Sequence, residues 1–163
     1  MKLAVGDVVV YGAHGAGSIA ARETRDVLGK RQVVIVLALS GGLSVELPLP
    51  RAEELLRPVA DEEEIVRVQG VLSADAVLTS ESWLKRRHEA QAKLSSTLGL
   101  AEILRDGASR DDTRGPRSPL SPAERELLKR ARELLTTEIA LSRGIEPAEA
   151  TDWIDAQLSS PAP

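Results

Sequence analysis

The spacing of hydrophobic and polar positions changes character once along the chain, near residue 50. Before that point, short β-branched runs alternate with glycine-rich breaks: Val8-Val9-Val10-Tyr11, Ser18 to Asp26, Gln32 to Leu39, and Leu43 to Leu47. The breaks at Gly12 to Gly17, Leu28-Gly29-Lys30 and Ser40-Gly41-Gly42 hold turn residues, so the region predicts four short antiparallel strands with tight connections. Strands this short need closure or packing, which favours a small twisted barrel over an open sheet. Pro48 and Pro50 are expected to end the last strand, because proline cannot donate to a ladder.

Beyond residue 50 the period is helical. Arg51 to Leu56 predicts a turn or two of helix ending near Arg57-Pro58, since the residue before proline resists the α region. Asp61 is placed to cap a helix whose first turn is Glu62-Glu63-Glu64, where the positive end of the helix dipole favours acids. A further helix opens at Ser80 or Ser82 and is expected to run to about Leu98, with Gly99 as a boundary before a short helix from Leu100 to Asp106. Residues 107–119 read as a polar loop. Ser121-Pro122-Ala123-Glu124 is a capping box with proline in the first turn. It predicts a helix to about Ser142 with Leu127, Leu128, Ala131, Leu134, Leu135 and Ile139 on its buried side, stopped by Gly144. Pro147 begins the last helix, which carries Trp153 as a core residue.

Trp83 opens the Ser80–Leu98 helix. At 100° per residue it lies within about 20° of Ala90 and Leu94, so periodicity alone leans towards an ordinary core tryptophan. Its place in the first turn leaves a second reading open, in which the indole projects past the end of the bundle, beside Lys85, Arg86 and Arg87.

Composition removes several function classes. There is no cysteine, so disulfides and thiolate chemistry are absent, and only two histidines, His14 and His88, are available to a metal. No metal, cofactor or catalytic constellation is expected. The glycine-rich segment lacks the strand–glycines–helix context that a phosphate loop requires. No apolar run approaches the ~18 residues that span a bilayer, so a cytoplasmic protein is expected. The formal charge is −4, yet it is unevenly spread. Residues 81–137 hold twelve cations against nine anions, while 51–80 hold three against seven. The positive excess therefore begins at the tryptophan helix, although few phosphate contacts alone would bind DNA weakly.

Several segments taken together resemble the CarD/CdnL family of bacterial transcription regulators. They are Val5-Gly6-Asp7-Val8-Val9-Val10-Tyr11, His14-Gly15, Glu23-Thr24-Arg25, Ser82-Trp83-Leu84-Lys85-Arg86-Arg87, Leu120-Ser121-Pro122-Ala123-Glu124 and Ala131-Arg132-Glu133-Leu134-Leu135. The likeness runs over roughly residues 2–158. It implies an α+β protein, with a Tudor-like antiparallel β-barrel over residues 1–52 that binds the RNA polymerase β subunit. A compact all-α domain over 61–163 would meet promoter DNA, with a flexible loop near 107–119. By that resemblance Trp83 would wedge into the minor groove at the upstream edge of the promoter bubble, without reading sequence. Lys85, Arg86 and Arg87 would neutralise phosphates, and Arg125 would touch DNA. Arg25 would contact the polymerase.

This chain departs from the family at two places. A second polymerase-contacting arginine, on the fourth strand, falls at Glu46, a charge reversal that can cost several kcal/mol at a contact. An aromatic or basic pair after the tryptophan is replaced by Arg87 and His88. The expectation is a non-enzymatic, monomeric regulator that stabilises the open complex. The alternative is a protein–protein adaptor with Trp83 buried and no DNA contact.

Overall fold

Glycine sets the turns of the β-rich segment by occupying backbone regions that other residues rarely enter. Gly15 sits at φ 124° after a 3-10 turn over Gly12–His14, and Leu28 (φ 52°) with Gly29 (φ 80°) forms a hairpin with two left-handed residues. The computed structural model describes residues 2–114 and 120–159. Its strands are β1 (Val8–Tyr11), β2 (Ala16–Val27), β3 (Lys30–Leu39), β4 (Ser44–Pro48) and β5 (Leu56–Pro58), with a helix α1 (Leu49–Leu55) between the last two. All pairings are antiparallel, in the order β4-β3-β2-β1-β5.

The expected strand number is corrected. There are five strands, not four, because Leu56-Arg57-Pro58 pairs with Tyr11-Val10-Val9. Pro58 reads as a breaker in sequence, but an edge strand tolerates a missing N–H. The sheet therefore extends to residue 58. The antiparallel five-stranded module followed by helices is the α+β arrangement, with a Tudor-like first domain, that the resemblance implies. α1 links the two edges and buries Ala52 in the same core as Leu3, Val9, Ile19, Ile35, Leu37, Leu47 and Leu56.

The remaining helices are α2 (Glu62–Ser73), α3 (Trp83–Lys93), α4 (Thr97–Arg114), α5 (Pro122–Arg143) and α6 (Pro147–Ser159). Asp61 caps α2 through its Oδ1, which accepts from Glu64 N at 2.8 Å, and Gly144 ends α5 in the left-handed region. The break expected at Gly99 lies earlier, at residues 94–96. Ser96 Oγ accepts from Gly99 N at 2.9 Å, so Gly99 belongs to the first turn of α4. A Cβ there would stand 2.3 Å from the Lys93 carbonyl oxygen, which explains a glycine at a position that sequence alone reads as a stop. Residues 107–114, expected as loop, continue α4; Gly107 packs so closely on Leu128 that a Cβ would meet its Cδ2 at 2.0 Å. The rest of that expected loop, 115–119, lies outside the described residues.

The helical core gathers Val68, Leu72, Leu100, Ala101, Leu104, Ala131, Leu135, Ile139, Ala150 and Ile154. Trp153, expected within it, packs partly buried at its margin beneath the Arg143 guanidinium, 5.0 Å from the ring centroid. Among the described residues no helix is long and apolar enough to cross a membrane.

Candidate functional site

α3 is a helix with no fully buried residue, so apolar packing alone does not hold it in place. Its sequence, Trp-Leu-Lys-Arg-Arg-His-Glu-Ala-Gln-Ala-Lys, offers little to a core, and Leu84 is 71% exposed. Polar ties fix it. Lys93 at its end pairs with Glu102 of α4 at 3.2 Å. At its start Arg86 Nη1 donates to Glu124 Oε1 at 3.0 Å, and Arg86 Nε donates to the Glu81 carbonyl at 3.0 Å.

Glu124 is the centre of that start. It stands in the first turn of α5, 3% exposed, where Ser121 Oγ accepts its backbone N–H at 3.2 Å. The backbone half of the capping box is thus formed. The side chain is spent elsewhere: Oε1 accepts from both Arg86 and Arg110, the latter at 3.1 Å. Both arginine side chains are largely covered, so one buried carboxylate carries two shielded guanidinium groups. The dipole at the start of α5 adds to the stabilisation of this negative charge.

Trp83 rests on this assembly. It is the first residue of α3, half-buried and outside the helical core, with the Arg86 guanidinium carbon 5.5 Å from its ring centroid. The sequence left its direction open between core and projection, and the geometry is intermediate. One side of the indole borders a groove of about 290 Å³ that also touches Val77, Arg86, Ile103, Arg110 and Leu127. Val77 and Leu78, in the segment before α3, are 65% and 43% exposed and add an apolar lip. That segment is tied down by Val77 N donating to Asp106 Oδ1 at 3.0 Å.

The structure divides the expected cations into two kinds. Arg86 is committed to Glu124, Glu81 and the indole, so its hydrogen-bonding donors are engaged within the protein. Lys85 and Arg87 on α3, and Arg125 and Lys129 on α5, are exposed and have no ion-pair partner among the described residues. The Arg86–Glu124 pair joins the two helix starts, so Arg125 lies one residue from the group that braces Trp83. His88 is also exposed on α3.

On the sheet, Arg25 of β2 reaches across β3. Its Nη1 donates to Glu46 of β4 at 2.7 Å, and its Nε to Glu23 at 2.7 Å, with Nη2 also directed at Glu23. The hydrogen bonds to Glu46 and then Glu23 raise the Arg25 pKa above its ordinary value, so the guanidinium stays charged throughout the accessible range. The two positions that the resemblance assigns to polymerase contact therefore pair with one another, in solvent.

Sequence reading passed over Glu124, Arg110, Arg57 and Glu138 as site residues. Arg57 in β5 donates to Glu138 in α5 through Nη1 and Nη2, at 2.8 and 2.9 Å. A signal was present: Glu124 and Glu138 fall in register with the stripe Leu127, Ala131, Leu134, Leu135 on a helix of period 3.6, where an acid requires a partner.

Comparison with known families covers both modules. Residues 3–60 match the model described as CarD-like/TRCF RID domain, and residues 67–155 match that of the CarD C-terminal domain. The first span takes in the whole five-stranded sheet through β5, and the second carries α3 and the Glu124 assembly. The chain belongs to the CarD family and is a CarD/CdnL-type transcription factor that interacts with RNA polymerase.

Proposed function

We propose that this chain docks on the polymerase β subunit through the sheet, with Arg25 and Glu46 at the contact, and stabilises the promoter open complex by setting Trp83 at the upstream edge of the bubble. The observation that carries this reading is the placement of the indole. It is half-exposed at a helix start and braced by Arg86, and the exposed Lys85 and Arg87 of the same helix and Arg125, next to Glu124, have no ion-pair partner among the described residues.

An aromatic edge of this kind fills an unstacked base step and needs no base-specific hydrogen bond. Its contacts exist only once the step is open, so binding shifts the equilibrium from closed to open complex. The exposed cations meet phosphates on either side, while Arg86 acts as the brace of the indole. Three or four such contacts bind DNA weakly from free solution. Docking on the polymerase raises the local concentration and makes them sufficient. The reading involves no covalent chemistry; the chain acts as a regulator, not an enzyme.

The test is the lifetime of the open complex formed by purified polymerase on a promoter, with and without the protein. Wild type is expected to prolong it and Trp83→Ala to lose most of that effect, each tenfold corresponding to about 1.4 kcal/mol. Equal lifetimes with wild type, Trp83→Ala and no protein would remove the wedge. Arg25→Glu is expected to lose polymerase binding; undiminished binding would move the docking surface elsewhere.

A further inference from the structure

α5 carries two buried carboxylates, Glu124 near its start and Glu138 near its end, 3% and 1% exposed. They are separated by 14 residues. On a regular helix that is about 21 Å along the axis and about 40° around it, so they lie on one side. Glu124 holds the arginine beneath Trp83. Glu138 holds the sheet. Its Oε1 accepts from Arg57 Nη2 at 2.9 Å, and its Oε2 from Arg57 Nη1 at 2.8 Å, Ala60 N at 2.8 Å and Thr97 Oγ1 at 2.9 Å.

The donors come from three places. Arg57 is the central residue of the edge strand β5, paired with Val10 of β1. Ala60 lies in the connector between the modules, and Thr97 opens α4. Arg57 Nε also donates to the Ser95 carbonyl at 3.1 Å, and Ser142 Oγ of α5 donates to the Ala60 carbonyl. A single carboxylate thus joins the sheet, the connector and two helices. Midway along α5, Arg130 Nη2 donates to the Ala13 carbonyl in the turn after β1, at 2.9 Å, which adds a second tie to the sheet.

We propose that Glu138 is a positioning residue that fixes the orientation of the sheet module relative to α5. Through that rigid helix it sets where Trp83 stands once the sheet has docked. The claim rests on the wedge reading for its functional half, but not for its geometric half. Burying a carboxylate is costly unless it is fully satisfied, and replacing it by a well-packed apolar residue is often neutral or better for stability. Four donors drawn from three separate places give it a different value, since a bidentate guanidinium–carboxylate fork holds distance and angle together. A flexible joint between the modules would let the tethered indole sample positions away from the bubble and reduce its effective concentration there.

Because the chain contains no cysteine, a pair introduced at Leu43 of the β3–β4 turn and Val66 of α2, 57% and 63% exposed, takes two spin labels without side reaction. Double electron–electron resonance on the full chain then reads the inter-module distance. A single narrow distribution is expected with Glu138 present. Glu138→Gln is expected to broaden it, and Arg57→Lys, which keeps the charge and loses the fork, to broaden it less. Narrow distributions in folded Glu138→Gln and Arg57→Lys would overturn the proposal; should Glu138→Gln fail to fold, Arg57→Lys decides. In the lifetime assay Glu138→Gln is expected to shorten the open complex roughly threefold to thirtyfold, in the range of couplings carried by packed networks, at unchanged polymerase affinity. A broadened distribution with an unchanged lifetime would retire the positioning role. Trp83→Ala is expected to leave the distribution narrow, so failure of the wedge reading and failure of this one remain separate results.

Discussion

The sheet and the helical module each build a three-residue charge cluster, with opposite composition and opposite exposure. On the sheet one arginine, Arg25, faces two acids, Glu23 and Glu46, and their side chains are between 38% and 53% exposed. Beside Trp83 one acid, Glu124, faces two arginines, and none of the three side chains exceeds 16%. Solvent screens the first cluster, so its internal pairing contributes little to stability and is easily exchanged for a partner's charges. The second is shielded, and its members cannot be released without leaving a buried charge unpaired. Exposure thus separates a surface that can be re-specified from a scaffold that cannot. The reversal at Glu46 fell on the adjustable one.

The largest effect that tests this contrast is on stability. Glu124→Ala leaves Arg86 and Arg110 facing one another without a counter-charge and is expected to cost about 3–5 kcal/mol in denaturant unfolding. It should also free α3, which has no buried side chain of its own, and expose Trp83 more fully to a fluorescence quencher in a Trp153→Phe background. A loss below roughly 1 kcal/mol, the range of an exposed pair, would erase the distinction.

Next in size is the effect at the proposed docking contact. Glu46→Arg is expected to leave the unfolding midpoint in place while changing polymerase affinity, because the residue is exposed and its pairing is screened. The sign of that change identifies the partner's charge. Tighter binding marks an acidic partner surface that the native Glu46 repels, and weaker binding marks a surface that has acquired positive charge opposite it. A shifted midpoint with constant affinity would make the cluster structural after all.

What the sequence disclosed about each cluster follows from the range of the interactions involved. The β grammar of residues 8–47, the Asp61 and Ser121 caps and the Gly144 stop are local, and all are visible in adjacent residues. β5 was hidden because three residues ending in proline hold no pattern of their own and become a strand only through β1, more than forty positions earlier. Gly99 and Gly107 read as breakers, whereas their roles are close contacts with the Lys93 carbonyl and Leu128. Glu124 was legible as a cap, but its side-chain partners lie 38 and 14 positions away. The same separation concealed Arg86, which in sequence is one of three adjacent cations and in space faces a different way from Lys85 and Arg87. The two glutamates within the apolar stripe of α5 were the one long-range signal available from local spacing.

That division among the three cations gives the smallest expected effect and the finest test. If Lys85 and Arg87 meet phosphates while Arg86 braces the indole, the substitutions will differ in how salt enters. For DNA binding by the polymerase-bound protein, Lys85→Ala and Arg87→Ala are each expected to lower the slope of log affinity against log salt by about 1. Arg86→Ala is expected to weaken binding with the slope nearly unchanged, because its guanidinium is shielded against Glu124 and the indole and does not itself reach a phosphate. Arg86→Lys should recover little, since a lysine cannot reach the Glu124 carboxylate, the Glu81 carbonyl and the ring face together. Three equal slopes would place all three side chains on phosphates and dissolve the distinction between brace and contact.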